Sequence, residues 1–244
     1  EGARAAYHGV RAASERLCEP LQTDDYILQS IVQTSPPKWH LAHVSWFFET
    51  FLLNEFLPGY NPFHPQYRYL FNSYYEQVGP YHPRPRRGML SRPTVEEVYR
   101  YRAWVDEHIG QLIDSVDDQS WPEVSRRLSI GLNHEQQHQE LLLTDIKHNF
   151  WVNPLYPAYR NDLPEEQTAS GALQWHEYRS GLRYIGADGE GFSYDNEQPR
   201  HTVYIDAYRL GSRLVTNGEY LAFIEDGGYA RPEFIFRVLQ FSCE

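Results

Sequence analysis

The stretch from Ser120 to Asn149, SWPEVSRRLSIGLNHEQQHQELLLTDIKHN, decides the fold of the first half of the chain. It opens with helix-start signals: Ser120 is a favoured N-cap residue, Pro122 suits the first turn, and Glu123 can complete a capping box. Apolar positions then continue a helical pattern through Val124, Leu128, Gly131 or Leu132, Leu142 and Ile146. The stretch therefore predicts one long helix that reaches about Asn149.

Three more helices are predicted upstream. Thr94 and Glu97 form a capping box, followed by an apolar stripe at three- and four-residue steps: Val98, Tyr101, Val105, Ile109, Leu112 and Val116. An earlier helix is predicted from about Trp39 to Leu57, and another over the first thirty-odd residues. Four such helices predict an antiparallel bundle. The connection 58–93 is long, and its many aromatic residues and prolines indicate a functional segment.

The pattern changes after Asn149. Residues 153–172 are rich in proline and polar side chains, which is typical of a linker. Short β-prone runs with glycine and asparagine turns follow, and Thr216 and Glu219 form a capping box for one short helix. The sequence therefore predicts an α+β protein with a helical domain over 1–152 and a mixed domain over 173–244. That second domain has few strands with which to close its own core, and we expect it to be incomplete.

Composition excludes several classes of protein. The 244 residues carry a formal charge of −11, which disfavours a broad nucleic-acid footprint. Cys18 and Cys243 are the only cysteines, so neither a disulfide framework nor a thiolate zinc cluster is predicted. No apolar run approaches the ~20 residues of a membrane span, and no signal-peptide pattern appears. We expect a cytoplasmic protein with no nucleic-acid and no membrane partner.

The long helix contains His-Glu-x-x-His, from His134 to His138, which is the pattern of zinc proteases. Histidines at i and i+4 project from one helix face and can share a metal, although such pairs also arise in ordinary packing. A metzincin needs Gly and His where Leu141 and Thr144 stand. A zincin with a glutamate ligand needs a downstream Glu, and the nearest candidates lie in the predicted linker. A protease is therefore poorly supported.

A third metal ligand is available upstream. Residues 39–51, WHLAHVSWFFETF, place His40 and His43 on the second predicted helix, where a histidine can also be a packed core residue. In an antiparallel bundle one inward histidine of this helix could meet the pair on the last helix. Three neutral imidazoles would leave metal positions open for substrate or oxygen, as in a catalytic site.

Three motifs in this order resemble the ergothioneine-biosynthesis sulfoxide synthases. They are WHLAHVSWFFETF (39–51), NHEQQHQELLLTDIKH (133–148) and QPRHTVYIDAYRLGSRLVTNGEYLAFIEDGGY (198–229). The resemblance implies a DinB-like four-helix bundle, followed by a C-type-lectin-like domain of the formylglycine-generating type. It runs to about Pro232, and the tail beyond that residue departs from the family.

The resemblance also implies a metal site. His43, His134 and His138 would be the ligands of Fe(II), while His40 would pack against them or support them. Gln137 matches a position that helps to hold hercynine, which is N-α-trimethylhistidine. Glu135 would then be an ordinary helix residue and not a protease base.

The loop before the third helix supplies candidate substrate groups. Guanidinium groups suit carboxylates, and the resemblance favours Arg84 and Arg87, with Arg86 as a third candidate, for the thiol substrate. Tyr74 and Tyr75 precede them, and either phenol is predicted to donate a proton or a hydrogen atom during catalysis.

The implied activity is that of an Fe(II)- and O2-dependent oxidoreductase. It would join the thiol of cysteine or γ-glutamylcysteine to C2 of the hercynine imidazole and oxidise the sulfur to a sulfoxide. A homo-oligomer is also considered. Three alternatives stay open: a sibling thiohistidine or selenoneine synthase, a DinB-like zinc hydrolase or thiol transferase, and a non-enzymatic metal-binding module. Three imidazoles suit iron and zinc alike.

Overall fold

The computed structural model describes residues 2–162, 170–189 and 191–231, and the chain divides into two units, Glu1–Leu163 and Pro164–Glu244. The helices of the first unit are α1 (Gly2–Cys18), α2 (Pro37–Phe48), α3 (Asn54–Phe56), α4 (Tyr67–Leu70), α5 (Val95–Ser115) and α6 (Trp121–Trp151). A π-helical turn, Glu49–Leu53, joins α2 to α3 without a break.

The four long helices form the predicted bundle. Helix α6 packs against α1 and α2, and α5 packs against α2 and α1. The buried core between them is rich in aromatic side chains, including Trp46, Phe48 and Tyr101. At Gly131 an added Cβ would lie 2.4 Å from Cε1 of Phe48, so glycine permits the close approach of α6 to α2.

The predicted helix starts hold for α5 and α6. Thr94 Oγ1 accepts a hydrogen bond from the Glu97 N–H at 3.1 Å, and Glu97 Oε2 accepts one from the Thr94 N–H at 2.7 Å. Ser120 is the N-cap of α6 by position, but its side chain makes no capping bond, and the predicted box with Glu123 is not formed. Its backbone N–H donates instead to Asp117 Oδ1 at 2.7 Å.

The prediction of one helix over the first thirty-odd residues is wrong. Helix α1 ends at Cys18, because Pro20 disfavours helical backbone at the residue before it. A 3₁₀ turn at Thr23–Ile27 and the 28–36 loop connect α1 to α2. This loop contributes to the site described below.

The second unit contains short strands and one helix. The strands are β1 (Trp175–Tyr178), β2 (Gly181–Ile185), β3 (His201–Ile205) and β4 (Tyr208–Gly211), and the helix is α7 (Asn217–Glu225). Strands β1 and β4 form one antiparallel pair and β2 and β3 another, with mostly exposed side chains. The predicted box caps α7, since Thr216 Oγ1 accepts from the Glu219 N–H at 3.2 Å.

These elements confirm the α+β fold class. The domain limits at 152/153 and 172/173 and the C-type-lectin-like assignment stay predictions. Residues 163–169 of the predicted linker and the tail 232–244 lie outside the described residues. None of the described helices is both long enough and apolar enough to cross a membrane.

Candidate metal centre

Three imidazoles from two helices meet inside the bundle. His43 comes from α2, and His134 and His138 come from successive turns of α6. One ligand-capable nitrogen of each lies within 4.8 Å of the others, and His43 Nε2 is 3.3 Å from His134 Nε2. Two nitrogens bound at neighbouring positions of one ion, each ~2.1 Å from it, are about 3.0–3.4 Å apart. The His43–His134 pair therefore already has the spacing of two ligands of one ion.

The protonation of these imidazoles also suits a metal. Burial lowers the pKa of His134 to about 4. Burial first, and then repulsion from neighbouring histidines, lowers the pKa of His43 and of His138 well below the usual value. The neutral imidazole is the form that binds metals, so no proton has to be displaced at neutral pH.

The orientation of His43 is set by its neighbours. Its Nδ1–H donates to the Phe71 carbonyl oxygen at 2.6 Å, which leaves the Nε2 lone pair facing the other histidines. The ring stacks on Trp39 at a centroid distance of 4.6 Å and on Trp46 at 5.4 Å. His134 Nδ1 is buried and has no partner among the described residues.

The three histidines open onto a cavity of about 350 Å³. Eight of the predicted site residues line it: Tyr74, Tyr75, Arg84, Arg87, Gln137, His43, His134 and His138. Arg86 does not line the cavity and is exposed, so the structure does not bring this third candidate to the site. The first unit thus brings three histidines, two arginines and two tyrosines together at one cavity.

Arg87 is a buried cation beside the three clustered histidines. Its Nη1 donates to Ser35 Oγ at 2.9 Å and its Nη2 to Ser73 Oγ at 2.8 Å, while its Cζ lies 3.4 Å from the Trp39 ring centroid. Burial, with a contribution from Arg84, lowers the pKa of Arg87 to about 9, so it remains cationic at neutral pH. Within the described residues no carboxylate pairs with it, and its Nε has no partner. The side chain is therefore suited to an anionic ligand.

Arg84 and the two tyrosines lie at the edge of the same cavity. Arg84 Nη1 donates to Tyr74 Oη at 3.0 Å, and its Nη2 donates to the Gln33 carbonyl oxygen. Tyr74 is exposed and has a φ of 61°, which is uncommon for a residue with a side chain. Tyr75 is partly buried against the rings of Trp46 and Phe51, at 5.5 and 5.4 Å.

Glu135 of the His-Glu-x-x-His pattern takes part in a different network. Its Oε2 accepts from Arg11 Nη1 at 2.9 Å, and its Oε1 accepts from Ser14 Oγ at 2.6 Å and Arg102 Nη2 at 3.2 Å. Burial alone would raise the pKa of this carboxyl, but the two arginines outweigh burial and lower the pKa to about 2. A protease base must reach water on the metal, and both Glu135 oxygens are already engaged with α1 and α5. The similarity to a protease pattern is therefore coincidental, and Glu135 is more than an ordinary helix residue.

Sequence reasoning missed several residues of the cavity. Asp145 lies two helical turns beyond His138 on the same face of α6, and this i, i+7 spacing could have identified it. Ser35 and Ser73 reach the cavity from loops, and no sequence pattern predicts that they lie there. His40, expected to pack against the ligands or support them, contacts both His138 and Asp145.

A family comparison covers the helical part of the chain that contains this cluster. The profile of the DinB superfamily matches residues 6–142, which include all three histidines. The chain belongs to the DinB superfamily.

The chain is also similar to proteins named hercynine oxygenase. It is 28% identical to that of Mycolicibacterium smegmatis over 228 residues, which cover 91% of this chain and 50% of the relative. It is 29% identical to that of Mycolicibacterium thermoresistibile over 202 residues, which cover 80% of this chain and 42% of the relative. For Mycobacterium tuberculosis the identity is 32% over 105 residues, or 42% of this chain and 24% of the relative. The chain spans about half the length of the first relative. These similarities confirm the family resemblance that the three sequence motifs indicated.

Proposed function

We propose that the chain acts as a non-haem Fe(II)- and O2-dependent sulfoxide synthase of ergothioneine biosynthesis. It would join the sulfur of cysteine or γ-glutamylcysteine to C2 of the hercynine imidazole. The observation that carries the proposal is that one cavity contains three neutral imidazoles and the buried guanidinium of Arg87. Among the described residues, no carboxylate forms an ion pair with this guanidinium. The names of the similar proteins support hercynine as the substrate.

His43, His134 and His138 would hold the iron, and their neutral form and spacing fit this role. When bound, ferrous iron would supply a Lewis acid that lowers the pKa of a thiol and a redox centre for dioxygen. Three protein ligands leave several coordination positions open for substrates. The charge of the ion is not cancelled, since all three ligands are uncharged.

Arg84 and Arg87 would bind the carboxylate of the thiol substrate. Both guanidinium groups line the cavity, and both have a buried Nε without a partner in the described part of the chain. A planar guanidinium that faces a carboxylate can donate two parallel hydrogen bonds, which would fix the direction of the thiol. Gln137 precedes His138 on α6 and would offer its amide to hercynine.

Tyr74 and Tyr75 would act as proton or hydrogen-atom donors at the edge of the cavity. Tyr74 Oη already accepts a hydrogen bond from Arg84, so its own O–H remains free to donate to a ligand. The packing of Tyr75 against aromatic rings holds its ring at the cavity wall. Both phenols therefore stay candidates.

The test is an oxygen-uptake experiment. The protein is loaded with Fe(II) without air, hercynine is added with cysteine or γ-glutamylcysteine, and air is then admitted while product masses are recorded. We expect a hercynyl sulfoxide that is lost in His134→Ala and retained in His8→Ala, a matched change at an exposed histidine of α1. Iron binding without this product would refute the substrate assignment. Tight zinc retention without oxygen uptake would favour a zinc hydrolase or thiol transferase.

A further inference from the structure

His40 lies beside the metal ligands but is not one of the three clustered histidines. It is buried on α2, and both of its ring nitrogens have partners on α6. Its Nδ1 is 2.9 Å from His138 Nδ1, and its Nε2 is 3.0 Å from Asp145 Oδ2. A contact between two Nδ1 atoms requires one to donate and the other to accept, so the position of the proton has to be worked out.

The hydrogen bond between His40 and Asp145 determines which nitrogen of His40 donates and which accepts. Asp145 Oδ2 also accepts the backbone N–H of Ser35 at 2.7 Å. An ionised carboxylate can only accept, so His40 Nε2 must carry the proton and donate. A neutral imidazole has one N–H, and the bond from His40 Nε2 to Asp145 uses it. His40 Nδ1 is therefore an acceptor.

We propose that the Asp145–His40 pair is a positioning relay that makes Nε2 of His138 its metal-binding nitrogen. Since His40 Nδ1 accepts, His138 Nδ1 carries the proton, and His138 Nε2 presents a lone pair to the metal. The opposite direction would place the proton on His138 Nε2 and block that ligand. The inference deepens the proposed function and rests on its metal site.

The relay distinguishes His138 from the other two ligands. His43 donates to a neutral backbone carbonyl, and His134 Nδ1 has no partner among the described residues. A carboxylate behind a histidine ligand fixes its tautomer and raises its basicity, so His138 should be the strongest donor of the three. The relay also reaches the proposed substrate site, because Ser35 donates its N–H to Asp145 and accepts from Arg87 at its Oγ.

The first arm of the test measures the dissociation constant for Zn(II) by competition with a chromophoric chelator. Asp145→Asn removes the charge that holds the His40 proton, and we expect weaker binding by about 10- to 100-fold. Glu140→Gln is the matched control, because it removes one exposed carboxylate from the same helix, and it should leave the constant unchanged. His40→Phe should weaken binding as much as Asp145→Asn. The double variant should be no weaker than His40→Phe, because both changes break one chain of bonds.

The second arm needs no variant and reads the tautomers directly. Nitrogen-15 NMR of the Zn(II)-loaded protein should show protons on His138 Nδ1 and His40 Nε2 and none on His40 Nδ1. A proton on His40 Nδ1, or unaltered Zn(II) affinity in Asp145→Asn, would overturn the relay and leave the metal site standing. Absence of Zn(II) binding by the unaltered protein would overturn both. If Asp145→Asn does not fold, the tautomers decide the question.

Discussion

Glu135→Gln is expected to destabilise the fold. The Glu135 carboxylate is fully buried, and it neutralises Arg11 and Arg102, whose side chains are 2% and 0% exposed. The other carboxylates near these arginines are Asp106 and Glu15, which are 22% and 43% exposed and therefore closer to water. The neutral amide of the variant would leave the two buried cations with these weaker partners alone.

The loss of folding free energy in Glu135→Gln can be estimated from these contacts. Removing one partner of a buried ion pair costs roughly 3–5 kcal/mol. The glutamine side chain keeps the volume and can still accept from Ser14, so the lower end, about 3 kcal/mol, is expected. At roughly 2–4 °C per kcal/mol for a unit of this size, Tm should fall by about 6–12 °C.

The destabilisation should depend on pH in a defined direction. The folded-state pKa of Glu135 is about 2, below the ~4.3 of an unfolded chain. A lowered carboxyl pKa stabilises the folded state above the unfolded pKa, and this contribution is lost as the pH falls towards the folded pKa. The difference between the unaltered protein and Glu135→Gln should be constant above about pH 5 and shrink between about pH 4.3 and 2.

The assay is thermal unfolding of the metal-free protein, followed by circular dichroism. Glu140→Gln removes an exposed carboxylate of the same helix and should stay within about 0.5 kcal/mol of the unaltered protein. An unchanged Tm in Glu135→Gln, together with loss of a metal-dependent peptidase activity, would refute the network and restore the protease interpretation.

Three further predictions concern the site and the bundle. Arg87→Lys keeps the positive charge but loses the planar guanidinium, and it should raise KM for the thiol substrate about tenfold or more. The control Arg86→Lys, at an exposed residue, should leave KM unchanged. Equal KM values in the two variants would contradict carboxylate binding by Arg87. If Tyr74 or Tyr75 donates the proton or hydrogen atom, its replacement by Phe should lower kcat by roughly 100-fold or more. Unaltered kcat in both Tyr74→Phe and Tyr75→Phe would exclude the two tyrosines from the chemistry. Gly131→Ala drives a Cβ into the Phe48 ring and should cost about 1–3 kcal/mol by urea unfolding; a neutral result would mean that the helices can separate there.

Local sequence signals predicted the elements that depend on neighbouring residues. The capping box at Thr94 and the long apolar stripe behind it predict α5, because a helix start and a helix face are short-range properties. The pairing of His134 with His138 follows in the same way from the i, i+4 geometry of one helix. The addition of His43 depended on family resemblance, since it lies 91 residues from His134 in the chain.

The sequence by itself therefore determined the helices, their buried faces and the types of side chain available for chemistry. Tertiary structure alone decided what each polar side chain bonds to. Glu135 and His138 lie on the same helix, yet one meets two arginines and the other meets His40. These partners are 33 to 124 residues away, and only the packing of α1, α2 and α5 around α6 brings them within hydrogen-bond distance. A buried polar group must find a partner, but which one it finds depends on which helices meet.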